Sequence, residues 1–298
     1  MERGVERFIL ESPRLQDRLL NIKRASLRLK ANIVGFGMQL MRRGASPVNV
    51  YHASVQKTGS QWIKAVLSDP DIRRMTGLHT YPQHRYEWNE FHASFPPYHF
   101  IPGLYISYGA FEEIRKPSRY AVFYVLRDPR DITVSWYFSM LHTHRLAGKV
   151  PQHRAVLRER SRSDGLMYAI DVLALKFAFM RDWLLRADRD RVLFVHFSEL
   201  TESPVPTYRR ILEHCGFAVS SDLLRAVTSR YTKETMAARE RARPLLLKRR
   251  IADRSHYRHT GETWDDIADP CHRERLLSVA GDVVEMIETM LAGEGGSI

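Results

Sequence analysis

Residues 48–67, VNVYHASVQKTGSQWIKAVL, begin with the pattern of a buried strand and end with that of a helix. The strand is predicted over Val48–Ser54 and the helix over residues 59–68. Between them lies a short turn, residues 56–61, that contains Lys, Thr, Gly and Ser. A strand that enters a helix through such a turn is typical of an anion-binding site.

The physical basis for an anion site is the start of the helix. The backbone N–H groups of Thr58, Gly59, Ser60 and Gln61 have no partners within the helix, and the helix dipole places partial positive charge there. Lys57 adds a full charge, and Gly59 lets the backbone approach a ligand closely. Taken alone, the turn is equally typical of an anion site and of an ordinary strand-to-helix connection that binds no ligand.

The order of residues in the turn differs from that of an ATP-binding loop. The Walker A motif, G-x-x-x-x-G-K-[ST], has its lysine after the glycines, whereas Lys57 precedes Gly59. This order disfavours a P-loop nucleotide-binding phosphotransferase or kinase-like protein, which is kept as the alternative interpretation.

Strands and helices alternate along the rest of the chain. Further strands are predicted at Leu104–Ser107, Tyr120–Leu126 and Val192–His196, and further helices at residues 129–146, 165–187, 204–215, 219–230 and 270–292. Short, buried strands separated by helices indicate a single α/β domain whose central, mostly parallel sheet has helices on both faces. In such sheets ligands bind at the carboxyl ends of the strands.

A second motif, YVLRDPRDITVSWYF at residues 124–138, supports this edge as a binding site. The strand ends just before Arg127, which places that side chain at the same edge as Lys57. Ser135 lies within the first two turns of the following helix, so Arg127 and Ser135 can share one phosphate. The structural alternative is an Arg–Asp ion pair that braces the turn.

Together the two motifs resemble those of sulfotransferases that use 3′-phosphoadenosine 5′-phosphosulfate (PAPS). Residues 55–62, VQKTGSQW, are similar to Y-P-K-S-G-T-T-W, and residues 127–135, RDPRDITVS, match R-[ND]-P-[KR]-D-x-x-x-S. Weaker similarities follow at 192–200, where Phe197 replaces a tyrosine, at 232–236, and at 258–264. The resemblance covers about residues 48–265 and implies a three-layer α/β/α fold.

The resemblance also implies roles for individual residues. Lys57 would stabilise the leaving phosphate oxygen in an in-line transfer of the sulfuryl group to a hydroxyl or amine. No metal ion is implied, and the product nucleotide would be adenosine 3′,5′-bisphosphate (PAP). The expected cofactor-binding residues are Lys57, Thr58, Gly59, Ser60, Gln61, Trp62, Arg127, Ser135, Thr232, Arg258 and Gly261. Trp62 would face adenine, with a core tryptophan as the alternative.

The catalytic base is harder to place. The family's usual histidine position corresponds to the neighbourhood of Ser107 and Tyr108, which has no histidine. Glycosaminoglycan-type members carry a glutamate about twenty residues after the lysine, and the same count from Lys57 reaches His79. His79 is therefore the expected base, with Glu87 and Glu90 as alternatives.

Composition limits the partners. The chain has 298 residues, a formal net charge of +12 and two cysteines, which favour a polyanionic ligand and a reducing, cytoplasmic environment. No nucleic-acid-reading motif is recognised, so nucleic acid is not an expected partner. The acceptor is expected to be a small molecule, a lipid or a carbohydrate. The aromatic residues of 76–103 either line its pocket, with the His/Arg-rich 142–160 as the opposite wall, or form a satellite hydrophobic cluster under a long loop.

Residues 1–46 form a separate, basic N-terminal segment ahead of the sulfotransferase-like domain at 47–298. Leucines and isoleucines recur there at helical spacing among arginines and lysines, which predicts one or two amphipathic helices. Such a helix packs on its own domain or on a homodimer partner, or it makes peripheral contact with a membrane surface.

Overall fold

The computed structural model describes residues 13–41, 48–82, 94–144, 149–241 and 261–294. Within them, five parallel strands form one sheet in the order β2-β3-β1-β4-β5. The strands are β1 Val48–Ser54, β2 His79–Thr80, β3 His99–Leu104, β4 Arg119–Leu126 and β5 Val192–His196.

Helices surround the sheet in the described parts of the chain. They are α1 Pro13–Met41, α2 Ser60–Leu67, α3 Pro70–Thr76, α4 Tyr108–Glu112, α5 Pro129–Phe138, α6 Val150–Glu159, α7 Arg162–Arg186, α8 Phe197–Glu202, α9 Pro204–His214, α10 Ser221–Ser229, α11 Lys233–Arg241, α12 Trp264–Ile267 and α13 Pro270–Glu294. A π-helical turn, Ser139–Thr143, follows α5 directly.

Alternate side chains of the central strands point into two separate cores. Tyr51 of β1 and Tyr124 of β4 lie in the core that includes residues of α5, α7 and α13. Val50 and Phe123, one position earlier on each strand, lie in the core that includes residues of α2 and α9. This alternation produces three layers, and the predicted α/β fold is confirmed.

Most of the predicted elements are present, with two differences. The short strand predicted at Leu104–Ser107 ends earlier, as β3 at His99–Leu104, because Ser107 caps α4 through its hydroxyl. The helix predicted at 129–146 ends at Phe138, where its backbone widens into the π-helical turn.

Helix α1 contacts the body through small residues. Ala31 is buried in the same core as Tyr51. A Cβ atom at Gly35 would come within 2.9 Å of Pro96 Cβ and 3.1 Å of the Pro97 carbonyl oxygen, so the helix backbone passes very close to this segment. The division of the chain into residues 1–46 and 47–298 stays a prediction.

The strand register determines what meets at each end of the sheet. Ser54 of β1 pairs with Val125 of β4, and Leu126 pairs with His196 of β5. Three neighbouring strands therefore end at the same level. The chain leaves them through the Lys57 turn, through Arg127 and through Phe197, which form one continuous edge.

A buried carboxylate holds the corner between α2 and α3. Asp69 caps α3 by accepting a 2.8 Å hydrogen bond from the Asp71 N–H. It also accepts bonds from Arg230 Nη2 at 2.9 Å and from the Tyr231 hydroxyl at 3.0 Å. Because Thr232 follows these two residues, the segment expected to contact the cofactor is held against this corner.

Candidate active site

The turn after β1 has an unusual backbone. Lys57 has φ of 72° and Gly59 has φ of 79°, so two of three consecutive residues are left-handed. The Thr58 hydroxyl donates a 2.9 Å bond to the Val55 carbonyl oxygen and so closes the turn. Ser60 Oγ lies 3.4 Å from Ser54 Oγ. Thr58 therefore has a structural bond in addition to any contact through its backbone N–H.

The first turn of α2 has no side-chain cap. Its N-cap residue is Gly59, which makes no side-chain hydrogen bond. The carbonyl oxygen of Gly59 accepts from the N–H groups of Trp62 and Ile63, which begins the helix. Helices usually satisfy their first N–H groups with a Ser, Thr, Asp or Asn side chain. A helix that begins at glycine instead leaves this position accessible to an anion.

Arg127 connects the second motif to this turn. Its Nη1 donates a 2.8 Å hydrogen bond to the Lys57 carbonyl oxygen. The predicted alternative, an Arg–Asp pair at this turn, is present as well. Asp128 caps α5 and binds Arg130, and Arg127 pairs with Asp131, with Nε 3.5 Å from Oδ2.

Two partly buried cations therefore lie side by side. Burial and the nearby Arg127 charge lower the pKa of Lys57 to about 8. Burial also lowers the pKa of Arg127, although Asp131 opposes this effect. A dianion bound here would raise both pKa values again, because it stabilises the charged forms. The residues at this edge thus fit a phosphorylated ligand.

An aromatic ring covers the turn from the β5 side. The Arg127 guanidinium lies over the Phe197 ring, 4.6 Å from its centroid. The same ring lies so close to Gly59 that an added Cβ would be 2.7 Å from Phe197 Cε2. Glycine is thus required at position 59 both by its left-handed φ and by this contact.

Two further residues of the predicted set lie on the helices behind these loops. Ser135 lies half-buried in the second turn of α5. Trp62 is half-buried on α2, with its ring edge-on to Tyr208 at 6.1 Å between centroids. Trp62 Nε1 is buried and has no hydrogen-bond partner among the residues that the structure describes. Trp62 therefore packs on the core as well as lying beside the turn.

The remaining cofactor residues lie further along the chain. The Thr232 hydroxyl accepts from the Thr235 N–H at 3.3 Å and so begins α11. Gly261 is exposed, with φ of 83°, and precedes Glu262, which pairs with Arg162 of α7. Arg258 lies outside the described residues.

The structure does not bring His79 to the Lys57 turn. His79 pairs in register with His99, and the next β3 residue, Phe100, pairs with Val50. His79 is therefore at the amino ends of the strands. Measured along the strand direction, it is about 16 Å from the end of β1, at a rise of roughly 3.3 Å per residue. This corrects the expectation that a count of residues from Lys57 locates the base. Glu87 and Glu90 lie outside the described residues.

His144 is a histidine near the turn that the sequence did not single out. Burial, together with the nearby charges of Lys57 and Arg154, lowers its pKa to about 4. The Lys57 effect places His144 within electrostatic reach of the turn. It follows the π-helical turn, and its only sequence signal is membership of the His/Arg-rich region 142–160.

Arg154 fixes the backbone around His144. This guanidinium is buried, and its Nε and Nη2 donate 2.8 Å bonds to the carbonyl oxygens of Met140 and His144. The His144 N–H donates to the Ser139 carbonyl oxygen at 2.6 Å. Because π-helical turns often occur at functional sites, this braced turn is a second candidate element of the site.

Comparison with known proteins identifies the class. A parallel α/β sheet with an anion-binding edge is common to many transferases, but residues 49–279 match one family, the sulfotransferase domain. This match spans most of the chain, so the protein belongs to the sulfotransferase domain family.

Solved structures with a similar fold agree with this assignment. Mouse sulfotransferase SULT7A1 complexed with PAP is 14% identical, with a TM-score of 0.52 over 76% of this chain and 80% of that one. Retinol dehydratase in a complex with retinol and PAP is 15% identical, with a TM-score of 0.51 over 82% and 83%. The same enzyme with androsterone and inactive cofactor PAP is 13% identical, with a TM-score of 0.50. At these identities the likeness concerns the fold.

Gly59→Ala tests the contact between the turn and Phe197. We expect a loss of roughly 2–4 kcal/mol in the free energy of unfolding, because both the left-handed φ and the overlap with Phe197 are unfavourable. Gly216→Ala is the matched control, since Gly216 has φ of 82° but no atom within 4 Å of an added Cβ. It should lose only about 1 kcal/mol.

Gly59→Ala should cost less free energy of unfolding in a Phe197→Ala background than in the wild type, because the overlapping ring is gone. Urea denaturation of the wild type, Gly59→Ala, Phe197→Ala and the double variant gives the coupling energy directly. Equal costs for the two glycine substitutions would contradict the described packing.

Proposed function

We propose that this protein transfers the sulfuryl group of PAPS to a hydroxyl or amine of an acceptor and releases PAP. The single observation that carries the proposal is the Arg127 Nη1 bond to the Lys57 carbonyl oxygen, which joins both predicted anion motifs. Family membership supports the reaction class. The similar solved structures that contain PAP support the nucleotide.

The residues divide between the two anionic ends of the nucleotide. The N–H groups at the start of α2, with Ser60, would hold the 5′ end, and Arg127 with Ser135 would hold the 3′-phosphate. Bound PAPS supplies the sulfuryl group and a phosphate leaving group. Lys57 stabilises the negative charge that develops on the leaving oxygen, which is electrostatic catalysis by a preorganised charge.

A P-loop kinase or phosphotransferase is not favoured. Lys57 comes before the glycine of the turn rather than after it, and the chain matches the sulfotransferase family over residues 49–279.

For the acceptor we propose a small molecule with a nucleophilic hydroxyl. Retinol dehydratase, with its similar fold, has been crystallised with retinol and with androsterone, both of which carry one.

The acceptor must lose a proton, and we propose His144 as the base. Its lowered pKa keeps the imidazole neutral at physiological pH, which is the form that accepts a proton. Arg154 holds the backbone beside it in place. The anionic cofactor would raise the pKa of His144 by offsetting the Lys57 charge, which makes it a stronger base when the cofactor is bound.

Lys57→Met tests the function. We expect kcat for sulfuryl transfer to fall by about 100-fold or more, because charge on the leaving oxygen is no longer stabilised. The affinity for PAP should fall less, since backbone N–H groups and Arg127 still bind it. Radiolabelled PAPS turnover and calorimetric titration with PAP measure the two effects.

Lys64→Met is the control, because Lys64 lies on the same short helix but away from the turn. It should leave both quantities within about threefold of the wild type. A wild-type protein that does not bind PAP would rule out the proposed function.

The pH dependence of PAP binding tests the lowered pKa of Lys57. Below pH 8 the lysine is already charged, so affinity should be flat. Above about pH 8 Lys57 loses its proton in the free protein but keeps it in the PAP-bound protein, so affinity should fall by up to tenfold per pH unit.

Calorimetry near pH 9 in buffers of different ionisation enthalpy should show uptake of close to one proton on binding. Lys57→Met should abolish this uptake. Equal proton uptake in both proteins would assign the titration to another group.

His144→Ala tests the base. We expect kcat to fall by about 10²-fold or more and PAP affinity to be unchanged. In the wild type, kcat should rise with pH through the His144 pKa, because the neutral imidazole is the active form, and the variant should lack this acidic limb.

His79→Ala and His142→Ala are the matched controls. His79 lies at the other end of the strands, and His142 stacks on Phe138. Retained kcat in His144→Ala, or a comparable loss in His79→Ala, would contradict the assignment.

A further inference from the structure

Helix α1 carries a stripe of exposed apolar side chains. Its five members are Ile22, Leu29, Ile33, Phe36 and Leu40, and each is between 48% and 67% exposed. Their spacing of seven, four, three and four residues puts them on one side of the helix. Contiguous apolar surface of this kind is uncommon on a monomeric protein and marks an interaction site.

The opposite side of α1 is the one that packs on the protein. Ala31 is buried in the core, and Gly35 meets Pro96 and Pro97 at close range. Ala31 and Gly35 lie on the far side of the helix from Leu29 and Ile33 by helical spacing. The helix is thus held by one face and presents the other, apolar face outward from the described part of the chain.

The charge of α1 indicates what that face binds. Residues 13–41 contain six basic residues and one acidic residue, Asp17. Lys30 is exposed and follows Leu29 directly, so it stands at the flank of the stripe. A lysine there can place its stem along apolar surface and its ammonium group near an anion. A second copy of the same helix would bring like charges together, which disfavours a homodimer through this face.

We propose that the apolar stripe of α1 docks on a lipid surface that contains anionic headgroups, with the helix lying in the plane of the interface. The stripe would enter the headgroup region, and the basic flanks would contact phosphate or carboxylate groups. No helix in the described ranges is both long and apolar enough to cross a bilayer.

Docking in this orientation leaves the cofactor edge accessible. Pro96 and Pro97, which α1 contacts, precede β3 and so lie at the amino ends of the strands. The Lys57 turn follows β1 at the carboxyl ends. The lipid contact and the proposed nucleotide site therefore use different ends of the sheet.

Vesicle co-sedimentation of the full chain tests the proposal. Vesicles of phosphatidylcholine with about 30 mol% phosphatidylserine should bind the protein, and pure phosphatidylcholine should bind it at least tenfold more weakly. Salt at about 0.5 M should weaken the anionic interaction. Ile33→Glu should reduce binding by roughly tenfold or more, because it places a carboxylate in the apolar stripe.

Leu277→Glu is the matched control, since Leu277 is 62% exposed but lies on α13. It should bind anionic vesicles as the wild type does. PAP titration of Ile33→Glu should be unchanged, which separates this proposal from the proposed function. Circular dichroism should show equal helix content in the three proteins.

Three results would overturn the proposal. They are no binding of the wild type to anionic vesicles, equal binding to both vesicle compositions, and unchanged binding of Ile33→Glu. Sedimentation equilibrium gives a further check: a wild-type dimer that Ile33→Glu converts to a monomer would assign the stripe to a second copy of the chain.

Discussion

The hydrogen bond from Arg127 to the Lys57 carbonyl oxygen joins two segments that are 70 residues apart in sequence. Lys57 has a left-handed backbone, which costs a non-glycine residue about 1–2 kcal/mol. A hydrogen bond from a charged donor contributes roughly 1.5–3 kcal/mol and so offsets that cost. The bond is available only because β1 and β4 are adjacent and in register, so the geometry of the turn depends on the sheet.

The same arrangement is electrostatically unfavourable in the folded protein without a ligand. Lys57 and Arg127 are both partly buried, and burial lowers the pKa of each. The helix that begins at Gly59 has no side-chain cap. A multiply charged anion relieves all of these costs together, whereas water relieves each only in part. A site organised in this way before the ligand arrives needs little rearrangement when charge develops during the reaction.

Local patterns were sufficient for much of the fold and for the anion site. The strands β1 and β5 have the predicted bounds, because each is a short buried run between clear breaks. The Lys57 turn and Arg127 were placed at one edge by the rule that parallel strands end on the same side.

Local patterns do not predict the register of distant strands or which of several side chains a charged group binds. A count of residues from Lys57 predicts His79 as the base, but β2 pairs at the amino end of β3. Such pairing depends on the whole sheet. Asp128 had two arginines in reach, and only the folded structure shows that it binds Arg130. The Lys57 charge acts on His144 although the two residues are far apart in sequence, and no local pattern reveals such a relation.

The π-helical turn after α5 makes the position of His144 sensitive to the number of residues in this segment. Such a turn corresponds to one residue inserted into an α-helix. Deleting one residue within Ser139–Thr143 would restore the regular helix and change which side chains of this segment face the Lys57 turn, since successive residues of an α-helix are about 100° apart. The sheet and the nucleotide edge would be untouched. A change of one residue in chain length is therefore expected to displace the proposed base while the strands stay in place.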